Sequence, residues 1–387
     1  MNPAWRSLRY LLVLVYSLVL SAPAQALEAV PYGALPGWAE DDHAAALKAF
    51  QRSCREILAE GSSFRRPIYY GGRRDDWLEV CRLGFDATHA KAFFEENFMP
   101  FKVLDQQRPE GLFTGYYEPE APGSRTPDDD YDVPLYRKPA DLVAFAKAQQ
   151  RGSGHAYGRI YAGKPQPYFT RREIELGALK GKGLEIVWLK DWADAFFIHI
   201  QGSGRVRLAD GSVIRLAYSA KSGLPYTGIG GILVERGAFS RDEMSMQATR
   251  SWMAANPQAA RELMWENHSF IFFREVELED PALGAIGAQH VQLTPLRSIA
   301  VDRDTWPFGM PVWLDTAIPA GEGNRLEEFR KLLIAQDTGS AIRGLARGDV
   351  YFGFGDDAAI AAGHMKSPGA MIVLLPKAVA HGLDLVP

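Results

Sequence analysis

The sequence predicts a mainly β protein with a helical N-terminal part and a second β unit inserted into the chain. Three observations carry this. Short runs of β-branched and aromatic residues, cut by Asp, Gly and Ser, recur from Leu184 onward. After residue 267 few helical stretches separate such runs, which favours a small closed barrel over a parallel sheet. The first hundred or so residues instead space their apolar positions as helices do.

A chain of 387 residues has room for two or three domains. Its 47% hydrophobic content is ordinary for a globular protein. The net charge of −4, with no dense basic cluster, excludes a nucleic-acid footprint. The N-terminus reads as a secretory signal: Arg6 and Arg9, then the apolar run 10–20, then Ala24-Gln25-Ala26, with cleavage after Ala26. The apolar run is short against the roughly 20 residues of a bilayer span. No cysteine lies near the cleavage position, so there is no place for an N-terminal lipid.

Residues 41–60 form the first expected helix, capped by Asp41 or Asp42 and ended by Gly61. Residues 75–81 and 87–98 are two more, with Phe93, Phe94 and Phe98 on an inner face. Cys54 and Cys81 are the only cysteines. Export to an oxidising compartment favours a disulfide between them; two buried thiols is the other reading. Strands are expected at 101–104 and 111–118, a Pro- and Asp-rich connection at 119–139, a helix at 140–149 and a loop at 151–163. Thr170 and Glu173 form a capping box. Strands follow at 185–189, 195–200, 205–208 and 213–219, with Asp210-Gly211 as a hairpin turn. Helices are expected at 232–236, 241–256 and 257–266. Strands return at 269–273, 290–293, 298–301, 311–314, 332–335, 350–354 and 370–375. The expected boundaries are a signal at 1–26, a discontinuous barrel unit at 27–118 and 267–387, and an insert at 119–266.

Residues 335–355, AQDTGSAIRGLARGDVYFGFG, hold the most suggestive chemistry. Asp337 and Asp349 lie in a glycine-rich run that leads into a strand, where Gly339 and Gly344 allow tight turns. A carboxylate at a strand start beside a groove suits proton transfer to a sugar oxygen. Taken alone, the stretch fits turn or cap aspartates better, since Asp favours such places. Asp302 ends another strand, so three aspartates could gather at one barrel mouth. Thr114, Tyr116 and Tyr117, flanked by glycines, suit a sugar groove, since aromatic faces pack on pyranose rings; an edge strand with exposed tyrosines is the plainer reading. Gln201 and Ser203 carry donors and acceptors for hydroxyl recognition. His199 reads as a packed histidine on a strand, and Lys221 as a surface lysine in a turn. No nucleophile elbow, zincin motif, Walker loop or dinucleotide fingerprint occurs.

Five ordered stretches carry a family resemblance: LFTGYYEP, HIQGSGRVRLADGS, YSAKSGLPYTGIG, NHSFIFFRE and LTPLRSIAVDR with LLIAQDTGSAIRGLARGDVYFG. Over about residues 40–376 the chain resembles the membrane-bound lytic murein transglycosylase A family, whose C-terminal part is a three-aspartate domain. The resemblance implies a discontinuous double-psi β-barrel, a smaller inserted β domain and a groove between them that holds glycan. It implies a polysaccharide lyase that cuts the β-1,4 bond between N-acetylmuramic acid and N-acetylglucosamine and leaves 1,6-anhydro ends. Asp349 matches the catalytic aspartate, Asp337 a second aspartate lining the site and Asp302 the third. Thr114, Tyr116, Tyr117, Gln201 and Ser203 match groove positions. Glycan strands are the implied partner, with an opening for association with wall-synthesis or division proteins; the chain is expected to be monomeric, with no cofactor, no metal and no nucleic acid. The family implies an outer-membrane association; without a lipobox cysteine, the reading here is a periplasmic protein, tethered at most by an uncleaved signal. A glycan-binding barrel without turnover and a water-using glycosidase are the two rival readings.

Overall fold

The computed structural model describes residues 26–61, 63–66, 68–105, 110–277, 280–320 and 325–383. The targeting segment lies outside them, apart from Ala26. No helix among the described residues is long and apolar enough to cross a membrane.

A short strand β1 (Leu27–Ala29) leads to α1 (His43–Leu58), α2 (Asp75–Asp86) and α3 (Ala90–Asn97). In α1 the buried positions Ala46, Ala49, Phe50, Ser53, Cys54 and Ile57 recur at helical spacing, and Asp42 caps its start by accepting from Ala45 N at 3.1 Å. Cys54 and Cys81 are bonded across α1 and α2. Phe50 packs on Phe93, Phe94 and Phe98 with ring centroids 5.6–6.0 Å apart.

The strands β2 (Phe98–Val103), β3 (Gly111–Glu118), β13 (Ser298–Val301), β14 (Pro311–Ala320), β15 (Arg325–Asp337), β16 (Arg347–Phe354) and β17 (Lys366–Pro376) belong to one sheet with β1. The order β17-β14-β15-β13-β16-β3 returns to β17, which closes a six-stranded barrel; β2 and β1 extend from β17. Two pairs are parallel, β13 with β15 and β3 with β16, so two crossovers thread the barrel in the double-psi manner. Helices α10 (Asp356–His364) and α11 (Lys377–Gly382) flank β17.

The second sheet has the order β12-β11-β10-β4-β9-β5, from β4 (Glu120–Ser124), β5 (Val133–Tyr136), β9 (Glu185–Leu189), β10 (Ser203–Arg207), β11 (Val213–Lys221) and β12 (Ile271–Val276). A bridge from Arg137 to Phe273 brings its two edges together. A three-stranded sheet of β6 (Val143–Ala144), β7 (Tyr157–Tyr161) and β8 (Lys164–Gln166) adds to this half, with α4 (Lys147–Ser153) and α5 (Arg171–Glu173). It also holds α6 (Trp192–Gln201), α7 (Ile229–Glu235), α8 (Met246–Ala255) and α9 (Pro257–Trp265).

Several sequence expectations need correction. Residues 195–200 are helical, inside α6. The run AFFIHI is apolar on every side because α6 is sandwiched: Ala195 and Ile198 enter the sheet core, while Phe196 and Phe197 enter a helical cluster. Its end signals were present, with Asp191 accepting from Ala193 N at 2.6 Å and Gly202 at φ 76° just past the end. The connection 119–139 contains β4 and β5, the helix expected at 140–149 lies later as α4, and the expected loop 151–163 contains β7. Residues 290–293 form no strand; only an Ile286–Gln292 bridge lies nearby. The strand after Ser269 pairs with β11 of the smaller sheet rather than with the barrel.

Only Pro119 separates β3 from β4, so one continuous stretch passes from barrel to smaller sheet. Glu118 sits at this crossing, 1% exposed, with Arg215 Nη1 at 3.5 Å from the smaller sheet. Neither Glu118 oxygen has a hydrogen-bond partner among the described residues. Burial pushes its carboxyl up to about 7 from 4.5, against the pull of Arg215 and Arg205. The folded state therefore favours the protonated form, and that contribution is lost as pH rises between about 4.5 and 7. Glu118→Gln is expected to match wild type in stability near pH 4 and to exceed it at pH 8 by about 3 kcal/mol. Thermal melts at the two pH values check this; an equal offset at both would contradict it.

Candidate active site

The barrel register sets Asp337, Ala300, Asp349 and Thr114 side by side across four strands. Ala300 of β13 is the partner of Asp337 on one side and of Asp349 on the other, and Asp349 is the partner of Thr114. Side chains alternate along β3, so Thr114 and Tyr116 share one face. Gly115 between them has to be glycine, because a Cβ there would meet the Phe352 ring at 2.6 Å and Ala362 Cα at 2.8 Å.

The two aspartates differ in their partners. Asp337 Oδ1 accepts from the backbone N–H groups of Ala288 and Thr338, and Oδ2 from the Tyr116 hydroxyl, all at 2.9 Å. Burial pushes its carboxyl up, and these three donors pull the other way. Asp349 Oδ1 accepts from the Thr114 hydroxyl at 2.5 Å. Thr114 in turn accepts from Arg347 Nη2 at 2.8 Å. Burial also raises Asp349, against the Arg347 charge and the Thr114 hydrogen bond. Two neighbouring buried carboxyls disfavour double ionisation. Three donors to Asp337 against one to Asp349 make Asp337 the better stabilised carboxylate of the two.

Both aspartates open on a cavity of about 340 Å³ between the two sheets. The barrel wall is Gly115, Tyr116, Ala300, Asp337, Asp349 and the segment Thr338 to Ile342; the facing wall includes Arg171, His199, Gln201, Lys221, Tyr226 and Asn267. A second cavity of about 660 Å³ shares Gly115, Ile200, Gln201 and Tyr226 with the first, so the two form one groove; Thr114 lines this second part.

Of the residues singled out from sequence, the groove brings together Asp349, Asp337, Thr114, Tyr116 and Gln201. Tyr117 is buried away from it against Ala358 and Ala362 of α10. Ser203 starts β10 opposite Ala217 and lines neither cavity. Asp302 does not join the other two aspartates in the cavity lining; it anchors the wall segment, accepting from Gly344 N at 2.9 Å and from Arg343 Nη1 at 3.0 Å. Gly344 makes its tight turn there at φ 112°, whereas Gly339 has no left-handed backbone.

The facing wall holds what sequence reasoning missed. Arg171 is buried between the Phe196 and Phe270 rings and donates to the carbonyls of Asn267 and Ser269 and to Glu175. His199 is on a helix rather than a strand; burial and then the Arg171 charge push it well below its ordinary value, so it is neutral. Lys221 lines the cavity at the end of β11, not in a surface turn. The apolar and aromatic neighbours of Arg171 in NHSFIFFRE were a usable sign, since a buried guanidinium needs such rings and carbonyls. Among the described residues no three His, Cys, Asp or Glu side chains group as metal ligands.

Residues 112–274 match the family described as the MltA specific insert domain, and residues 297–375 match the 3D domain. The membrane-bound lytic murein transglycosylase A of Vibrio cholerae is 34% identical over 321 residues, covering 81% of this chain and 78% of the relative. A solved membrane-bound lytic murein transglycosylase from Agrobacterium tumefaciens is 33% identical with a TM-score of 0.83, covering 92% of this chain and 99% of that one. MltA from Neisseria gonorrhoeae, also solved, is 32% identical with a TM-score of 0.74 over 90% of this chain and 92% of its own. With both family models matched and the Vibrio relative 34% identical over 78% of its length, the chain belongs to the membrane-bound lytic murein transglycosylase A family.

Proposed function

We propose that this chain cleaves murein glycan strands by a lytic, water-free route at the groove floor, with Asp349 as acid and then base. The observation that carries it is the contrast between the two carboxyls: Asp337 is saturated by three donors, whereas Asp349, which lines the same cavity, has one oxygen with no protein partner among the described residues. Asp349 gives its proton to the oxygen between N-acetylmuramic acid and N-acetylglucosamine as the C1–O bond breaks. The resulting carboxylate takes the proton of the muramic C6 hydroxyl as O6 bonds to C1. One carboxyl thus serves twice, where most glycosidases need two. Asp337, ionised beside the reacting carbon, favours the positive charge that develops there. Tyr116 and Gln201 line the groove as contacts for sugar hydroxyls. The relatives are named membrane-bound, which supports action in the cell envelope; we place the mature chain in the periplasm.

Product mass tests the route. Purified sacculi are digested and the soluble ends weighed. Anhydro ends are expected; ends one water heavier would make the chain a hydrolase, and binding without soluble product would make it a glycan-binding module.

A further inference from the structure

Arg347, buried at 9% exposure, lines neither part of the groove but reaches the acid through one hydroxyl. Its guanidinium donates to the carbonyls of Leu112 and Gly348 and, from Nη2, to Thr114 Oγ1 at 2.8 Å. Thr114 donates onward to Asp349 Oδ1 at 2.5 Å. We infer that Arg347 is a positioning residue that decides, through Thr114, which oxygen of Asp349 carries the catalytic proton.

The reasoning is one of hydrogen count. A threonine hydroxyl has one hydrogen. With Arg347 donating to Oγ1, that hydrogen is directed to Asp349 Oδ1, and the chain of bonds is charge-assisted. The reverse order would have Asp349 Oδ1–H donate to Oγ1. It would fill both lone pairs of Oγ1 and leave the threonine hydrogen without an acceptor among the described residues. Oδ1 is therefore held as an acceptor, and the acid hydrogen belongs on Oδ2, the oxygen with no protein partner among the described residues. After transfer, Oδ2 is also the free oxygen that receives the C6 hydroxyl proton. Gln or Lys at position 347 would not give the same arrangement, since Arg reaches Thr114 and two carbonyls from one planar fork.

This inference rests on the acid role of Asp349 and is tested separately from it. The other ionisable groups facing Asp349 are Asp337 on β15, Tyr116 on β3 and Arg347 on β16; Arg171, His199, Lys221 and Tyr226 line the opposite wall. Arg347 and Thr114 both favour the ionised carboxyl, so losing either should move the alkaline limb of activity upward. The experiment uses the full chain on sacculi, with kcat, KM and pH profile for Thr114→Val, Thr114→Ser and Arg347→Met. Thr114→Val is expected to lower kcat by about tenfold with KM within about twofold, and to shift the alkaline limb to higher pH. Arg347→Met is expected to shift it the same way, and Thr114→Ser to recover most of the lost kcat and the wild-type limb. Should Arg347→Met fail to fold, Arg347→Lys, which keeps the charge but not the planar fork, takes its place and is expected to shift the limb the same way. An unmoved limb in the folded variants, or wild-type kcat in Thr114→Val, overturns the inference. Full activity in Asp349→Asn would instead remove the acid itself, a different failure.

Discussion

Asp349→Asn is expected to lower release of anhydro-muropeptides by about 10³–10⁴-fold while leaving the fold intact. The amide has nearly the same shape and still accepts from Thr114 through its oxygen. It has no proton to give the glycosidic oxygen and no charge with which to take one from the C6 hydroxyl. On the proposed route both half-steps fail at once, because one carboxyl performs both. No second carboxyl takes over easily: Asp337 has its two oxygens committed to Ala288, Thr338 and Tyr116. Chromatography of products from sacculi, beside a thermal melt, makes the measurement. Normal release from a folded Asp349→Asn chain would sink the assignment.

Asp41→Ala is expected to cost about 3–5 kcal/mol of stability, as for one partner lost from a buried ion pair. Asp41 lies just before α1, and its carboxylate takes both Arg297 nitrogens, at 2.7 and 2.8 Å, and the Leu332 N–H at 2.9 Å. The two side chains are 1% and 7% exposed, so removing the acid strands a cation between helix and barrel. Burial alone would raise the Asp41 carboxyl. The Arg297 and Leu332 hydrogen bonds and the Arg297 charge outweigh it and hold it below the ordinary range. A lowered value contributes stability that is present above the unfolded pKa and lost as pH falls through the folded one. Urea titrations should therefore show the gap between wild type and Asp41→Ala as full at pH 7 and narrowing in acid. A gap that is small at pH 7 would show the pair to be dispensable.

Much of the barrel was readable because its strands are short, buried and bounded by Gly and Asp, as in Ser298–Val301 and Arg347–Phe354. The glycine-rich run with Asp337 and Asp349 was legible for a related reason: side chains at that density of glycine are few, so those present stand out. What stayed hidden depends on neighbours distant in sequence. The α6 helix looked like a strand because both its faces are buried, which erases the periodic signal. Asp302 looked like a third site residue because it also ends a strand, and only the packing of Arg343 and Gly344 reveals it as an anchor. Lys221 and Arg171 owe their place to the closure of one sheet against another, and Arg347 owes its meaning to a threonine 233 residues away.

The closing of the barrel by β17 has a consequence for when activity can arise. This late strand joins β14 to β3, and β3 brings Thr114 and Tyr116 to aspartates encoded more than 200 residues later. A partly made chain has the tyrosine and threonine but neither carboxyl; a chain lacking only β17 has all four without the seam that holds them in step. An enzyme that cuts murein therefore has no assembled site until its last strand is in place. It becomes competent in the same event that completes its fold.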